Sequence, residues 1–362
     1  MKQGWERKKL GEVCEILDSQ RKPVTKKDRR EGCYPYYGAT GIQDYVDSYI
    51  FDGRYLLIGE DGAKWGAYDK TAFIVEGKCW VNNHAHILRM HSDVVDSFIE
   101  YYLLYKDLDE FITGAIVRKL TQQALRNIPI PVPPLPIQER IVEELDCISG
   151  IIEKKKEQLK ELDALAQSIF YTMFGDPVEN DKGWEVKKLG EVADFYNGTA
   201  HEGQISENGR YNVVNSKFIS TNGVVRKYCD SQISPLFKND IVMVMSDVPN
   251  GRALAKCYII EQNDLYTLNQ RICVFRNYNL DTIFLFYCLN RHPYYLSFDN
   301  GNSQTNLRKN DVLNCPIILP PLPLQQEFAK KIEAIEKQKE LIRKSIGEVE
   351  TLLASRMQEY FE

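Results

Sequence analysis

From Ile141 onward the apolar positions alternate at four and three residues: Ile141, Leu145, Ile148, Ile152, Leu159, Leu162, Ala166, Ile169 and Met173, with Lys155 as the polar exception. The same spacing returns in Phe328, Ile332, Ile335, Ile342, Ile346, Val349, Leu353 and Tyr360, interrupted by Lys339 and Arg356. This is a heptad seam, and it predicts two helices of about 34 residues, each roughly 50 Å long, in a left-handed coiled coil. Gly175 and Pro177 stop the first helix. Elsewhere the pattern is mixed. Short apolar runs such as Tyr55 to Ile58 and Ile241 to Met245 predict buried strands, and Tyr101, Tyr102 and Tyr105 have the spacing of a packed helical face.

These elements occur twice, in one order. Trp5-Glu6-Arg7-Lys8-Lys9-Leu10-Gly11-Glu12-Val13 recurs as Trp184-Glu185-Val186-Lys187-Lys188-Leu189-Gly190-Glu191-Val192, a shift of 179. The segment Asn127-Ile128-Pro129-Ile130-Pro131-Val132-Pro133-Pro134-Leu135-Pro136-Ile137-Gln138 recurs from Asn314 to Gln325, a shift of 187. The longer shift already holds at Asn82 against Asn269, so eight extra residues enter the second copy before that point. A duplication of this length predicts two equivalent domains, each ending in Pro-Pro-Leu-Pro and a long helix.

The expected division is a first mixed domain over residues 1–140, a long helix over 141–175, a linker over 176–183, a second mixed domain over 184–327 and a second long helix over 328–362; the resemblance given below makes the two domains target-recognition domains 1 and 2 and the helices spacers. The fold class is α/β: two similar domains, each a mixed sheet plus helices, separated by two long helices that form an antiparallel coiled coil. That pairing holds the two domains apart as a pseudo-twofold dumbbell, with Trp5 near Phe361 as Trp184 is near Phe174.

Composition changes the picture in two ways. The 46 Lys+Arg against 51 Asp+Glu give a net charge of −5, but residues 141–183 alone hold 5 basic and 10 acidic residues. The two globular blocks are therefore neutral and can meet a polyanion through a local face rather than through bulk charge. The longest apolar run, Ile283 to Leu289, has seven residues, against the roughly 20 that cross a bilayer. No signal-peptide core opens the chain, and nine cysteines without a Cys-x-x-Cys fit a reduced cytosol, so a cytoplasmic protein with no membrane association is expected.

Catalytic chemistry is thin in the sequence. No Asn/Asp/Ser-Pro-Pro-aromatic motif, no convincing glycine-rich cofactor loop and no Walker-type phosphate loop is present. Glu6-Arg7-Lys8 and Glu185-Val186-Lys187 match the tail of a metal-dependent nuclease motif, but charge alternating along a half-exposed strand explains both. His84 and His86 share one strand face at a spacing that can ligate a metal. The second copy has Arg271 and Cys273 there, which favours a recognition or packing role. No catalytic and no metal residue is expected.

At this point the chain resembles the DNA specificity subunit of type I restriction-modification enzymes. The likeness runs from Trp5 to Phe361 and rests on Trp-Glu-x-Lys-Lys-Leu-Gly-Glu-Val, on Tyr36-Tyr37-Gly38-Ala39-Thr40-Gly41-Ile42 and on the duplicated Pro-Pro-Leu-Pro-Ile/Leu-Gln lead-in. The resemblance implies a non-catalytic subunit whose two target-recognition domains each read one half of a split double-stranded DNA site. It implies helices that set the gap and dock two methylation subunits, with a motor-nuclease subunit joining for restriction. S-adenosylmethionine, Mg2+ and ATP would then be held by those partners, with no cofactor in this chain. The alternatives are a self-contained restriction or methylation enzyme and a coiled-coil adaptor.

Four clusters carry the cations and amide side chains that phosphates and base edges require. Arg21, Lys22, Lys26, Lys27, Arg29 and Arg30 precede a tyrosine-rich strand. Lys64 and Trp65, and in the second copy Asn250 and Arg252, lie in loops that follow apolar strands. Asn83, His84 and His86 are matched by Gln270 and Arg271. Arg118 and Lys119 are matched by Gln304, Arg308 and Lys309. Solvated surface charge is the alternative for any single member.

Overall fold

A computed structural model describes residues 4–114, 116–201, 203–301 and 303–362. Its contacts divide into two units, Met1–Glu157 with Ile342–Glu362, and Gln158–Leu341. Each unit holds one domain together with one end of each long helix.

In the first unit the elements run β1 (Glu6–Lys9), α1 (Leu10–Val13), β2 (Cys14–Ile16), β3 (Glu31–Gly38), β4 (Gly41–Val46), β5 (Phe51–Gly59), β6 (Ala72–Val81), β7 (Ala85–Met90), α2 (Asp96–Tyr105), the hairpin β8 (Ile112–Thr113) and β9 (Lys119–Leu120), α3 (Gln122–Arg126), β10 (Pro129–Val132) and α4 (Leu135–Phe174). Six strands form one mixed sheet in the order β2-β7-β5-β6-β3-β4, in which β3 and β6 are parallel and every other pair antiparallel. Tyr55 to Gly59 are buried without a break because β5 lies in the interior of the sheet. The sheet packs on Phe98, Ile99, Tyr102 and Leu103 of α2, and Leu56, Ile58, Leu88 and Ile99 share one core.

The second unit repeats the plan: β11 (Glu185–Lys188), α5 (Leu189–Val192), β12 (Asp194–Asn197), β13 (Tyr211–Val214), α6 (Ser216–Ser220), β14 (Tyr228–Cys229), β15 (Ile241–Val244), β16 (Ser246–Asp247), β17 (Cys257–Ile259), β18 (Tyr266–Leu268), β19 (Ile272–Arg276), α7 (Thr282–Leu289), α8 (Pro293–Leu296), β20 (Thr305–Asn306), α9 (Lys309–Leu313), β21 (Pro316–Leu319) and α10 (Leu322–Phe361). Here the sheet is split into β12-β19-β15-β17 and β14-β13-β18. The ten-residue β6 is replaced by two short strands, β17 and β18, separated by a turn with Asp264 at φ 54°. One sheet therefore becomes two with the same neighbour order. The extra residues of the second copy fall between Val214 and Ile241, where α6 has no equivalent.

The repeated opening and proline segments pair with each other. Glu6 to Lys9 run antiparallel to Val132 to Pro129, and Glu185 to Lys188 to Leu319 to Pro316. Proline lacks an N–H, and it is tolerated in a two-stranded ribbon that has free edges. Glu6 and Lys8 ion-pair at 3.1 Å and Glu185 and Lys187 at 3.2 Å, the contacts of a solvated strand face.

The long helices have 40 residues each, about 60 Å, longer than the seam predicts. They begin inside the proline motif, at Leu135 and Leu322, because Pro136 and Pro323 occupy the first turn, where no N–H is needed. Every seam position is buried or half-buried. In the first unit Ile141 and Leu145 of α4 share a core with Leu353, Met357, Tyr360 and Phe361 at the end of α10. In the second unit Leu162, Ala166, Phe170 and Phe174 at the end of α4 meet Phe328, Ile332 and Ile335 at the start of α10. The two helices are thus antiparallel. Phe361 packs on Phe98, which in turn meets Trp5, while the Trp184 indole N–H donates to the Phe174 carbonyl at 2.8 Å. The two polar exceptions of the second helix are neutralised locally: Lys339 meets Asp163 and Glu336 at 2.6 Å, and Arg356 pairs with Glu144 and Glu359.

Candidate nucleic-acid interface

Within each domain, three of the four sequence clusters come together through the same backbone contacts. In the first, the Glu60 N–H donates to the His84 carbonyl at 2.8 Å, the Leu120 N–H donates to the Glu60 carbonyl at 2.8 Å, and Asp61 bridges Lys119. In the second, the Met245 N–H donates to the Arg271 carbonyl at 3.0 Å and the Leu307 N–H to the Met245 carbonyl at 2.8 Å, while Ser246 pairs with Asn306. The loop after the central strand, the turn before β7 or β19, and the segment before the proline motif therefore meet at one junction per domain. Sequence distances of about 25 and 60 residues are closed by sheet topology.

The two junctions are filled differently. In the first domain His86 is fully buried, its Nδ1 2.6 Å from an Asp18 carboxylate oxygen and its Nε2 2.7 Å from the Leu120 carbonyl. Asp18 also accepts the Ile87 N–H at 3.1 Å and the Gln122 amide at 3.1 Å. Arg21 donates to Glu60 at 2.6 Å and to the Ala85 carbonyl at 2.7 Å, and the Lys119 ammonium meets Glu60 at 2.6 Å. Burial pushes the Asp18 and Glu60 carboxyls up. His86 and Arg21 beside Asp18, and Lys119 and Arg21 beside Glu60, outweigh it and hold both below their ordinary values. The equivalent positions of the second domain are Asn197, Met245 and Cys273, with no charge.

Asp18, Glu60 and His86 have the residue types of a metal site and their ligand atoms lie within 4.8 Å of one another. Arg21 and Lys119 already neutralise the carboxylates, and both histidine nitrogens face protein acceptors. The trio therefore reads as an internal ion network. His84 and His86 do not form a ligand pair: His84 is exposed and contacts Asp61 at 2.5 Å, while His86 is interior.

Several other expected contact residues are also placed inward. Trp65 is 4% exposed and its indole N–H donates to the Gly59 carbonyl at 3.1 Å. With His86 it is corrected from a surface residue to a buried one: Trp65 folds back under the end of β5, and His86 is the second residue of β7, whose first four positions are buried. Arg21 faces the network, and Arg29 pairs with Asp44 at 3.1 Å while stacking on Tyr36. Arg118, by contrast, stays exposed, paired with Asp109 at 2.7 Å.

The remaining candidates face solvent. Lys22, Lys26, Lys27, Arg30 and Lys64 are exposed and have no ion-pair partner among the described residues. Asn83 is exposed beside His84. In the second domain Arg252, Arg271, Arg308 and Lys309 are exposed, with the Lys309 ammonium 5.6 Å from the Phe195 ring. Arg271 sits at φ 67° and Asn250 at φ 54°, and the Asn250 N–H donates to Asp299 at 3.1 Å. The Gln304 amide donates to the Ser246 hydroxyl at 2.8 Å, and Gln270 is half-buried.

Sequence reasoning missed the role of Gln138 and Gln325, which end the proline lead-in. Each is buried. Gln138 accepts the Val95 N–H at 2.9 Å and donates to the Pro133 and Asp93 carbonyls, and Gln325 accepts the Asp281 N–H at 2.9 Å and donates to the Pro320 carbonyl. The repeated Gln was the signal. It joins the start of each long helix to the helix that backs the sheet.

Two repeated mixed-sheet domains, each with one junction of strand-end loops and each leading into one of two antiparallel helices, define a class of duplicated two-domain protein. The model of the type I restriction modification DNA specificity domain matches residues 2–163 and again 181–351, and the chain belongs to this family of specificity subunits, with two target-recognition domains. A putative type I restriction enzyme specificity subunit of Haemophilus influenzae is 40% identical over 144 residues, 40% of this chain and 37% of that protein. The type I restriction enzyme MjaVIII specificity subunit of Methanocaldococcus jannaschii is 22% identical over 380 residues, 96% of this chain and 89% of that one. The fold is shared with the S subunit of the type I restriction-modification system of M. genitalium, with a TM-score of 0.55 at 12% identity over 99% of this chain and 96% of the other. A chain solved in work on complex assembly and conformational transition of the type I R-M system gives 0.54 at 16% identity, over 99% and 98%. Among the described residues no helix is long and apolar enough to cross a membrane.

Proposed function

We propose that this chain gives a type I restriction-modification complex its DNA specificity. Each target-recognition domain reads one half of an asymmetric bipartite site in double-stranded DNA, and the antiparallel helices fix the gap between halves. The observation that carries this reading is the junction repeated in both domains, where exposed cations and amides surround one shared set of strand-end loops. A duplicated chain, unlike a homodimer, can hold two different readers, and the ionic filling of one junction against the neutral filling of the other fits two unlike half-sites.

In this reading Lys22, Lys26, Lys27, Arg30 and Lys64 in the first domain, and Arg252, Arg271, Arg308 and Lys309 in the second, meet phosphates. Asn83, His84, Asn250, Gln270 and Gln304 are placed to address base edges. The chain carries no reaction of its own. Two methylation subunits docked on the helices would transfer a methyl group from S-adenosylmethionine to adenine N6, and a motor-nuclease subunit using ATP and Mg2+ would complete the restriction complex.

The test is methylome sequencing of a host carrying this chain and its methylation partner. A split motif with two fixed halves is expected. Inserting one heptad in the middle of each long helix adds about 10 Å, so the gap should lengthen by roughly three base pairs while both halves stay the same. Altered half-sequences, or an uninterrupted motif, would overturn the reading.

A further inference from the structure

Each domain carries a hairpin whose closed end lies against the junction, and the two hairpins close differently. In the first, β3 and β4 pair out to Gly38 and Gly41, so Ala39 and Thr40 alone make the turn, and the Asn82 N–H donates to the Tyr37 carbonyl at 3.0 Å beside it. In the second, β13 and β14 pair only at Tyr211–Cys229 and Asn212–Tyr228. There Asn269, 187 residues on from Asn82, donates its N–H to the Val214 carbonyl at 3.1 Å. The chain then runs from Asn215 to Lys227 before it returns. A long connection thus leaves the second junction at the point where the first has a two-residue turn.

This connection is held in one shape. The Asn215 side chain caps α6 by accepting the Phe218 N–H at 2.9 Å, and Phe218 and Ile219 are fully buried in a core with Val242 and Val244. The Thr221 hydroxyl accepts the Val225 N–H at 3.1 Å, Gly223 turns the chain at φ 77°, and the Arg226 Nε donates to the Gly223 carbonyl at 2.7 Å. The Lys256 ammonium donates to the Ser220 carbonyl at 2.9 Å and ties α6 to the loop that follows β16.

The connection also has charge of one sign. No Asp or Glu stands between Asn212 and Asp230, while Lys217, Arg226 and Lys227 are exposed and have no ion-pair partner among the described residues. The carboxylates around it are engaged or lie elsewhere. Asp230 follows the last pair, at the open end of the hairpin, and Asp247 accepts the Ala253 and Leu254 N–H groups at 2.6 and 3.1 Å. Glu261 accepts the Tyr258 hydroxyl at 3.3 Å, and the field of Arg226 reaches the same tyrosine. Arg226, held by Gly223 with an acid nearby, serves the loop. Lys217 and Lys227 face solvent, and the Lys227 carbonyl accepts the Val213 N–H at 2.8 Å, which sets Lys227 beside the strand end that meets Asn269.

Building on the reading of the chain as a DNA specificity subunit, we propose that residues 215–227 are an arm of the second domain that grips phosphates flanking its half-site, with Lys217 and Lys227 as the contacts. The arm continues the cationic surface of Arg252 and Arg271, and two unpaired ammonium groups on a fixed, acid-free segment complement a polyanion. Such contacts hold register and add affinity without reading bases. The first domain, closing its hairpin in two residues, lacks this arm, so the second half-site is held over a longer stretch of backbone than the first.

The full chain assembled with its methylation partner is titrated with a duplex carrying both half-sites at several salt concentrations, and the complex is footprinted with hydroxyl radicals. Lys217→Ala with Lys227→Ala should lower the slope of log affinity against log salt by about 2, one phosphate contact being lost per lysine. It should also remove protection flanking one half-site only, while the methylated motif stays the same. Lys217→Arg with Lys227→Arg should keep both slope and footprint, and Arg210→Ala, at the open end of the hairpin, should change neither. An unchanged slope in the alanine variant, protection lost at both half-sites, or an altered motif overturns the arm and leaves the DNA reading intact. Loss of subunit assembly in the absence of DNA, in the alanine variant or in Val224→Ser with Val225→Ser at the exposed tip, assigns the segment to a protein partner and also overturns it. Failure of the wild-type complex to bind any duplex overturns the specificity reading itself.

Discussion

Lys119 and Arg308 look interchangeable in the sequence, one before each proline motif, yet they face different surroundings. The Lys119 ammonium is 2.6 Å from Glu60, whereas the Arg308 side chain is exposed with no ion pair among the described residues, its backbone N–H donating to Asp311 at 2.8 Å. Arg308→Ala should lower the slope of log affinity against log salt by about 1, the signature of one lost phosphate contact. Lys119→Ala should weaken binding with little change of slope, because a neutralised ammonium releases no counterion. Titration of DNA binding at several salt concentrations separates the two. Acid should act on the same network. Asp18 and Glu60 bind protons less readily folded than unfolded, so their stabilisation is complete above the ordinary carboxylate range, near 4, and is lost as pH falls through their lower folded values. Glu60→Gln removes the carboxylate partner of Lys119 and one of the two beside Arg21, which keeps Asp18 at 3.6 Å, and should cost about 2 kcal/mol at neutral pH. Thermal unfolding as a function of pH should also show a shallower acid decline in that variant than in the wild type.

At the scale of elements, the heptad seam carried most of the information. Its ten positions in each helix are all at least half-buried, and the polar interruptions at Lys339 and Arg356 have acidic partners. The Lys339 ammonium is drawn into the seam at a desolvation cost that Asp163 and Glu336 offset. Since Asp163 is largely exposed, Lys339→Leu strands no buried carboxylate and should raise stability by about 1 kcal/mol, measurable as a higher midpoint of thermal unfolding. Gln138→Ala and Gln325→Ala should each lower stability by about 2 kcal/mol, because each orphans the half-buried N–H at the start of the helix backing the sheet and the proline-segment carbonyl that the amide caps. Phe328→Ala, removing a fully buried ring that meets Phe170 and Phe174, should cost about 4 kcal/mol. An unchanged midpoint for any of these would remove the role assigned to that side chain.

For the whole molecule, two copies of one plan mean that each domain can be altered without rewriting the other. Substitutions at the first junction should change one half of the recognised site in methylome data and leave the other unaltered, and those at Arg252 or Arg271 should do the reverse.

The duplication, the order of elements and the antiparallel seam were all readable in the residues, because helix periodicity and proline chemistry are local and leave their mark on neighbouring positions. The splitting of the second sheet was not, since it depends on where β6 gives way to a turn between β17 and β18. Nor were the fates of Trp65, His86, Arg21 and Arg29 readable. A cation or aromatic ring near a strand end looks the same in sequence whether it faces water or an internal carboxylate. Only the sheet, by bringing Asp18, Glu60 and Leu120 to the same point, decided that His86 belongs to the interior and that Arg21 turns toward it.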